Sequence, residues 1–406
     1  MRKDLQIENF HYLCAMIIAF FILFTLATIG LDFLAWRRIS PTRRTARTIV
    51  GITLLILNIL PHIAVAITAI ADNTTQQLMA FDSWALTIYI FATLTRVVYY
   101  VAMFTIRHKF ISRAVGIVAA SALLAILLNG VIVTRTKLTV KNIQIVDNNI
   151  PQSFVGYRIL FISDLHIGAM VQPERECKAL ADIIGKQCAD MVIVGGDLVH
   201  ISHNELTESL SAQLSRIVAP DGVYYAFGNH DTGIYMKSYT EDDFDSNIWH
   251  LRNKIADMGW TPLQDSTIYA VKGADSIAVT GIDFTRELLK YKHSYNRPED
   301  YPFAQIFDNV PKEVFNIAIS HLPQLWEPIS SCSYADLVLS GHTHATQIAF
   351  ECFGRRISPA MVLHKQWSGL YSDQNSQLYI TDGIGCVGFN MRIGAVPEVT
   401  IIELAR

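Results

Sequence analysis

Nine residues of this chain carry side chains able to hold metal ions or move protons, and they fall in five short blocks. Asp164 and His166 form D-L-H, and Asp197 ends G-G-D. Asn229, His230 and Asp231 lie in G-N-H-D, His321 stands alone, and His342 and His344 form G-H-T-H. Imidazole, carboxylate and amide oxygen together suit divalent Mn, Fe or Zn rather than a structural thiolate site. Two histidines two residues apart, just past a strand, cannot easily share one side of it and could reach two different ions. One carboxylate, Asp197, could bridge a pair of metals about 3.5–4 Å apart. Two ions held by only two carboxylates leave a net positive site. Such a site draws a phosphate ester and pulls a proton from a bridging water near neutral pH.

The elements that must position these blocks are short apolar strands alternating with amphipathic helices. Strands are expected at Leu138–Val146, Tyr157–Ser163, Met191–Gly195 and Val223–Phe227, and helices at Pro173–Gln187 and Asn204–Val218. Proline at 173 suits a helix start. Later strands are expected at Ile277–Thr280, Phe315–Ser320, Asp336–Leu339, Leu378–Thr381 and Val399–Glu403. Strands separated by helices, then a strand-rich tail, indicate a layered α/β domain. Each polar block follows the C-terminal end of a strand, where an open α/β sheet places its ligand crevice. The 33 residues from Asp164 to Asp197, and again from Asp197 to His230, leave room for one helical crossover each.

D-x-H, G-D, G-N-H-D, a lone histidine and G-H-x-H, in that order, resemble the calcineurin-like metallophosphoesterase superfamily. The likeness runs from about Val155 to Leu404. Gly369–Tyr371, Leu378–Ile380, Gly383–Gly385, Arg392 and Pro397–Glu398 are similar to its membrane-linked bacterial branch, with UDP-diacylglucosamine hydrolases and cell-envelope phosphoesterases. The resemblance implies a first divalent ion on Asp164, His166, Asp197 and His344. It implies a second on Asp197, Asn229, His321 and His342, with Asp197 bridging. It further implies that a metal-bridging hydroxide attacks phosphorus in line. His230 would bind no metal but act on the phosphoryl oxygens or the leaving group, oriented by Asp231. One departure stands out: Ala345 and Thr346 replace the two glycines that often follow this G-H-T-H, which puts the substrate analogy in question and leaves every ligand in place.

Composition divides the chain. Hydrophobic residues make up 51% and charged residues 17%, with a mean hydropathy of +0.29. Residues 1–133 hold 11 Lys/Arg and 5 Asp/Glu, whereas the remaining 273 hold 22 and 31. The second part is therefore acidic, and it carries 10 of the 13 histidines. This argues against a nucleic-acid partner, which usually meets a basic surface, and the apolar content excludes a disordered chain. Six cysteines without close pairing exclude a disulfide scaffold or a CxxC zinc site.

The apolar third holds four stretches of about 20 residues, enough to cross a bilayer: Tyr12–Leu34, Ile49–Ala71, Trp84–Ile106 and Ile111–Val133. The first is too long for a simple signal peptide, and three similar segments follow it. Arg37, Arg38, Arg43, Arg44 and Arg47 follow the first span, and Arg107, Lys109 and Arg113 join the third to the fourth. The second link, around Asp72–Ser83, has neither Lys nor Arg. The positive-inside rule then puts links one and three in the cytoplasm and the large domain outside. Asn58, His62, Arg96 and Asn129 within the spans read as facing the bundle interior or an interface, and Pro61 suggests a kink.

The expected organisation is thus a four-helix transmembrane region (1–133), a linker and first strand (134–153), and a metallophosphoesterase domain (154–406). The expected function is a multi-pass, inner-membrane, dinuclear phosphohydrolase with an extracytoplasmic catalytic domain. Its substrate would be a phosphoester or pyrophosphate, lipid-linked or of the cell envelope. One alternative is a cytoplasmic-facing UDP-2,3-diacylglucosamine-type pyrophosphatase. Another is a membrane sensor that uses the domain only to bind a ligand, against which the His230–Asp231 pair counts. His200 and His203, close after Asp197, could extend the site but read rather as loop or helix-start residues; His250, His293 and His364 read as surface residues, and the cysteines of the second part as small packed hydrophobes. The acidic run Glu241–Asp245 reads as a solvated turn. The stretch Phe284–Val310, with Tyr295 and Tyr301 among its aromatics, reads either as a lipid-facing lip or as a packed insertion.

Overall fold

The computed structural model describes residues 25–38, 42–70, 76–236, 240–291 and 301–406. The chain divides into two compact units, one made mainly of the N-terminal helices and the other of residues 130–387 and 391–406 with a short piece at 72–76.

In the first unit three helices are long and apolar enough to cross a membrane among the described residues, starting at Arg44, Gln76 and Lys109. The first expected span, Tyr12–Leu34, lies mostly outside the described residues; residues 25–37 are helical. The helix Arg44–Ile70 runs through Pro61. Asp32 gathers the polar side chains. It pairs with Arg96 at 2.7 Å and accepts hydrogen bonds from Asn58 Nδ2 and the Tyr100 hydroxyl, each at 2.7 Å. Arg96 and Asn58 therefore satisfy a buried carboxylate inside the bundle, which apolar surroundings make costly to leave unpaired.

The second unit is a sandwich of two sheets flanked by helices. Its strands are β1 (Thr139–Val146), β2 (Arg158–Ile162), β3 (Met191–Val194), β4 (Val223–Tyr225), β5 (Thr261–Pro262), β6 (Ser266–Lys272) and β7 (Asp275–Gly281). They continue with β8 (Asn316–Ile319), β9 (Leu337–Ser340), β10 (Phe350–Cys352), β11 (Arg355–Ile357), β12 (Gly369–Ser372), β13 (Gln377–Ile380) and β14 (Glu398–Ala405). One six-stranded sheet has the order β1-β14-β2-β3-β4-β5 and the other β12-β13-β9-β8-β7-β6; β10 and β11 form a separate hairpin.

Period-two alternation builds the layers. Along β2, Ile159 and Phe161 face the inter-sheet core with Ile193, Ile317, Leu339 and Ile402. Leu160 and Ile162 face the opposite way, packing with Cys177 and Leu180 of the helix Pro173–Ile184. The parallel neighbours β2, β3 and β4, and β8 beside β9, point their C-terminal ends the same way within each sheet. Every polar block follows one of these ends.

Three local expectations change. The helix expected over Asn204–Val218 splits into a 3₁₀ turn, His203–Glu205, and a helix, Glu208–Leu214, because the Thr207 side chain caps the latter by accepting from Leu210 N. The acidic run at 241–245 is not a solvated turn but the start of the helix Glu241–Asp257. Thr240 and Asp243 form a capping box there, and acids near a helix N-terminus meet its positive end. Finally, Phe284, Leu288, Tyr301, Phe303 and Phe307 are buried in the core, so the described part of the stretch 284–310 is a packed insertion and not an exposed lip. Residues 292–300, with Tyr295 and His293, lie outside the described residues.

Candidate metal centre

The site is assembled on tight turns at the strand ends. Asp164, His166, Asp197, His342 and His344 all adopt positive φ, between 47° and 71°. Side chains rarely accept this left-handed backbone, and strain of this kind gathers at functional sites. Two glycines make room. A Cβ at Gly228 would collide with Asp197 Oδ1, and one at Gly341 with Asp164 Oδ2. Ala345 and Thr346 keep φ of 49° and 47° although neither is glycine. The substitution noted in the sequence therefore leaves left-handed turns in place, with Ala345 packed against Ala360 and Trp367.

Distances show what these turns bring together. The donor atoms of Asp164, His166 and His344 lie within 4.8 Å of one another, as do those of Asp164, Asp197 and His321. His166 Nε2 faces His344 Nε2 at 3.0 Å. His344 Nε2 is 3.3 Å from Asp164 Oδ1, and His321 Nε2 is 3.1 Å from Asp197 Oδ2. Asn229 Oδ1 lies 2.9 Å from His342 Nδ1. The Asn229 amide nitrogen donates to the Tyr235 hydroxyl, which turns the amide oxygen toward that histidine. Asp164 thus belongs to both groups, and its carboxylate is aimed by the backbone N–H of His342.

These residues fit a pair of divalent ions. His321 Nδ1 donates to the Gly195 carbonyl at 2.8 Å, which leaves buried Nε2 facing Asp197 Oδ2 at 3.1 Å without a well-aligned hydrogen bond. A buried imidazole nitrogen aimed between two carboxylates is the donor a metal ion would satisfy. The paired Nε2 atoms of His166 and His344 can share only one proton, so an ion would suit that gap as well.

Charge is balanced tightly. Burial pushes Asp164 up to about 6, with His321 opposing it. Burial would raise Asp197 too, but His321 and His230 hold it well below the usual carboxylate range. Burial opposes protonation of His321, yet the Asp197 and Asp164 charges lift it to about 9. His166 is held far below the usual imidazole range by burial and by His230, and His344 by burial and by the Arg392 guanidinium. Both rings stay neutral, as metal ligands must.

His230 stands beside the ligands, its ring centroid 4.6 Å from that of His166. The expected partnership with Asp231 is corrected by the geometry: His230 Nδ1 donates to the His200 carbonyl at 2.6 Å. The Asp231 carboxylate instead accepts from the backbone N–H of Asp197, Leu198, Val199 and Gly228, and from the Tyr225 hydroxyl. It clamps the turn that carries Asp197, because four converging amides offer a buried carboxylate far more than one imidazole could.

His200 is a second correction. It is no loop residue at the surface but is buried, with its donor atom within 4.8 Å of those of His166 and His230. Its only signal in the sequence is its place three residues past Asp197. Arg392 donates to the Gly385, Asp382 and Ala395 carbonyls and stands 3.2 Å from His344 Nδ1. His203 and His250 stack on each other away from the site, whereas the His364 ring lies 5.7 Å from that of His342. Cys177, Cys188, Cys332, Cys352 and Cys386 are all free thiols, two of them buried.

Comparison with known proteins agrees with this arrangement. A family model described as calcineurin-like phosphoesterase matches residues 157–346. The uncharacterized metallophosphoesterase YkoQ of Bacillus subtilis is 28% identical over 255 residues, covering 61% of this chain and 83% of that protein. A transmembrane protein with metallophosphoesterase domain from Danio rerio is 27% identical over 272 residues, covering 65% of this chain and 57% of the relative. The uncharacterized metallophosphoesterase YkuE of Bacillus subtilis is 25% identical over 316 residues, 73% of this chain and 97% of the relative.

Proposed function

The chain carries a calcineurin-like phosphoesterase domain and is a metal-dependent phosphoesterase, and from that premise we propose that it is a membrane-anchored hydrolase of lipid-linked or cell-envelope phosphoesters or diphosphates. The reading is carried by one observation: two buried Asp/His groups, Asp164–His166–His344 and Asp164–Asp197–His321, share Asp164. Asp164, His166, Asp197 and His344 would hold one ion, and Asp197, Asn229, His321 and His342 the other. Manganese, iron and zinc all suit these donors. Bound there, two divalent ions supply an activated water and neutralise charge on the phosphoryl oxygens.

The protein's own side chains do the rest. His230, with Nδ1 bound to the His200 carbonyl and its ring beside His166, holds or delivers a proton for the phosphoryl or leaving-group oxygen. Asp231 fixes the turn of Asp197. Three membrane-length helices among the described residues support an integral, multi-pass protein, and the arginines between the first two expected spans favour an extracytoplasmic domain.

The test is phosphate release by the full-length protein with added manganese, against an Asp197→Asn blank. Detergent-dispersed lipid phosphates and small soluble esters are compared. Higher kcat/KM for the lipids supports the reading. Preference for soluble esters would reduce the helices to an anchor, and silence on every ester would favour the ligand-binding sensor.

A further inference from the structure

A short segment after G-H-T-H presents an exposed apolar surface beside the metal centre. Phe353, at the tip of the β10–β11 hairpin, is fully exposed, and Val362 in the helix Ala360–Leu363 is 77% exposed. Phe350 and Ile357 face each other across the hairpin, and both are exposed, as are Met361 and Leu363. Six large apolar side chains within 14 residues is a patch that water-facing surfaces rarely carry without a partner.

The segment is built firmly onto the wall of the site. Ala360 is fully buried against Ala345 and Trp367, and the Ser358 hydroxyl donates to the Ala345 carbonyl at 2.7 Å. Immediately after the helix, His364 lies beside His342. Its Nδ1 has no hydrogen-bond partner. The exposed apolar segment thus ends beside a residue of the metal centre.

We propose that residues 350–363 are an interfacial lip that enters the headgroup layer of a lipid bilayer and delivers the phosphate of a lipid-anchored substrate to the metal centre. This rests on the membrane-anchored phosphoesterase reading above. A bilayer is the occupant that the chain itself supplies. The helix Lys109–Ile132 is long and apolar enough to cross one, and β1 begins at Thr139. A link of that length reaches about 20 Å at most. Phenylalanines at a hairpin tip with an exposed arginine, Arg355, follow the aromatic and basic pattern of membrane interfaces. Once the lip is seated, a lipid tail stays in apolar surroundings while its phosphate reaches past His364.

Cys352, exposed beside Phe353, offers a probe position. The full-length protein with Cys14→Ser, Cys188→Ser and Cys332→Ser is labelled at Cys352 with a nitrobenzoxadiazole dye. It is then reconstituted in phosphatidylethanolamine–phosphatidylglycerol vesicles. A variant keeping Cys188 and carrying Cys352→Ser serves as the water-facing control. Nitroxide-bearing lipids should quench the Cys352 label several-fold more than the Cys188 label, and iodide should do the reverse. Equal access to iodide at the two positions would overturn the proposal. So would shielding from both quenchers, which would mean that a second copy or another protein covers the lip. In a second arm, Phe353→Ser with Val362→Ser should lower the ratio of kcat/KM for lipid phosphate over p-nitrophenyl phosphate by about tenfold. An unchanged ratio overturns delivery of the substrate by the lip. If the unmodified enzyme cleaves no ester at all, the hydrolase reading fails, and the quenching still decides whether the lip meets lipid.

Discussion

His200 Nδ1 lies 3.2 Å from Nδ1 of His166, so the two imidazoles share a proton between them. If His166 holds an ion through Nε2, its Nδ1–H must find an acceptor, and His200 is the ring that meets it. Burial and the neighbouring His230 pull His200 down to about 3, which keeps it neutral and able to accept. Partners of this kind fix ligand orientation, and their loss typically costs 10–100-fold in metal affinity. His200→Ala should therefore lower metal affinity by about that factor, measured by metal content after dialysis against graded chelator. His200→Asp, which restores an acceptor, should recover most of it. Equal metal retention in the alanine variant would remove His200 from the site.

The same residue reaches His230 through its backbone. Because that contact uses the His200 carbonyl, side-chain variants at 200 leave it intact. His230→Ala should keep its metal content and lose about 10²–10⁴-fold in kcat, with a smaller change in KM. Loss of bound metal in step with activity would show that His230 is a ligand instead.

Asp231 acts on structure before chemistry. Its carboxylate is fully buried, and burial with the adjacent Asp197 charge pushes it up to about 7, despite five hydrogen-bond donors. Asp231→Ala would leave four backbone amides without their acceptor, each costing roughly 1–3 kcal/mol where it cannot find another. The expected result is a lower Tm together with loss of both ions, since the Asp197 turn loses its clamp. Asp231→Asn, with one acceptor oxygen in place of two, should fall between the alanine variant and the parent protein in both measurements.

Much of this centre was legible in the sequence, for a physical reason. Ligand side chains must follow strand ends, so D-L-H, G-G-D and G-H-T-H each trail a run of apolar residues. The seven residues expected as ligands and His230 come close together at the strand ends. Asp231 was read as a partner of His230 because a histidine–carboxylate neighbour suggests that pairing. A carboxylate that binds four backbone amides leaves no pattern in residue types. His200 was read as a loop residue for a related reason: its burial depends on Glu205, whose carboxylate holds the His200 amide. The aromatic stretch 284–310 read equally as a lip or a packed insertion, because composition cannot say which side of a segment faces the core. Phe303 and Phe307 point inward, while Phe353, in a plainer sequence, points out.

Glu205 offers a test by pH that does not involve the ligands. Its buried carboxylate accepts from the backbone N–H of His200 and Ile201, closing the loop that carries His200. Burial outweighs those bonds and pushes its pKa up to about 7. A carboxyl group whose pKa is higher folded than unfolded binds its proton more readily in the folded state. Its contribution is therefore most favourable below the unfolded value, near 4.5, and is lost as pH rises toward 7. The shift bounds the loss at roughly 3 kcal/mol. Glu205→Gln has no such titration, although it leaves one amide poorly paired and should be less stable at pH 5. The Tm advantage of the parent protein over the variant, with the same metal present, should shrink steadily between pH 5 and pH 8. An advantage that stays constant across that range would mean that Glu205 keeps an ordinary carboxylate pKa, and that burial does not govern the His200 loop.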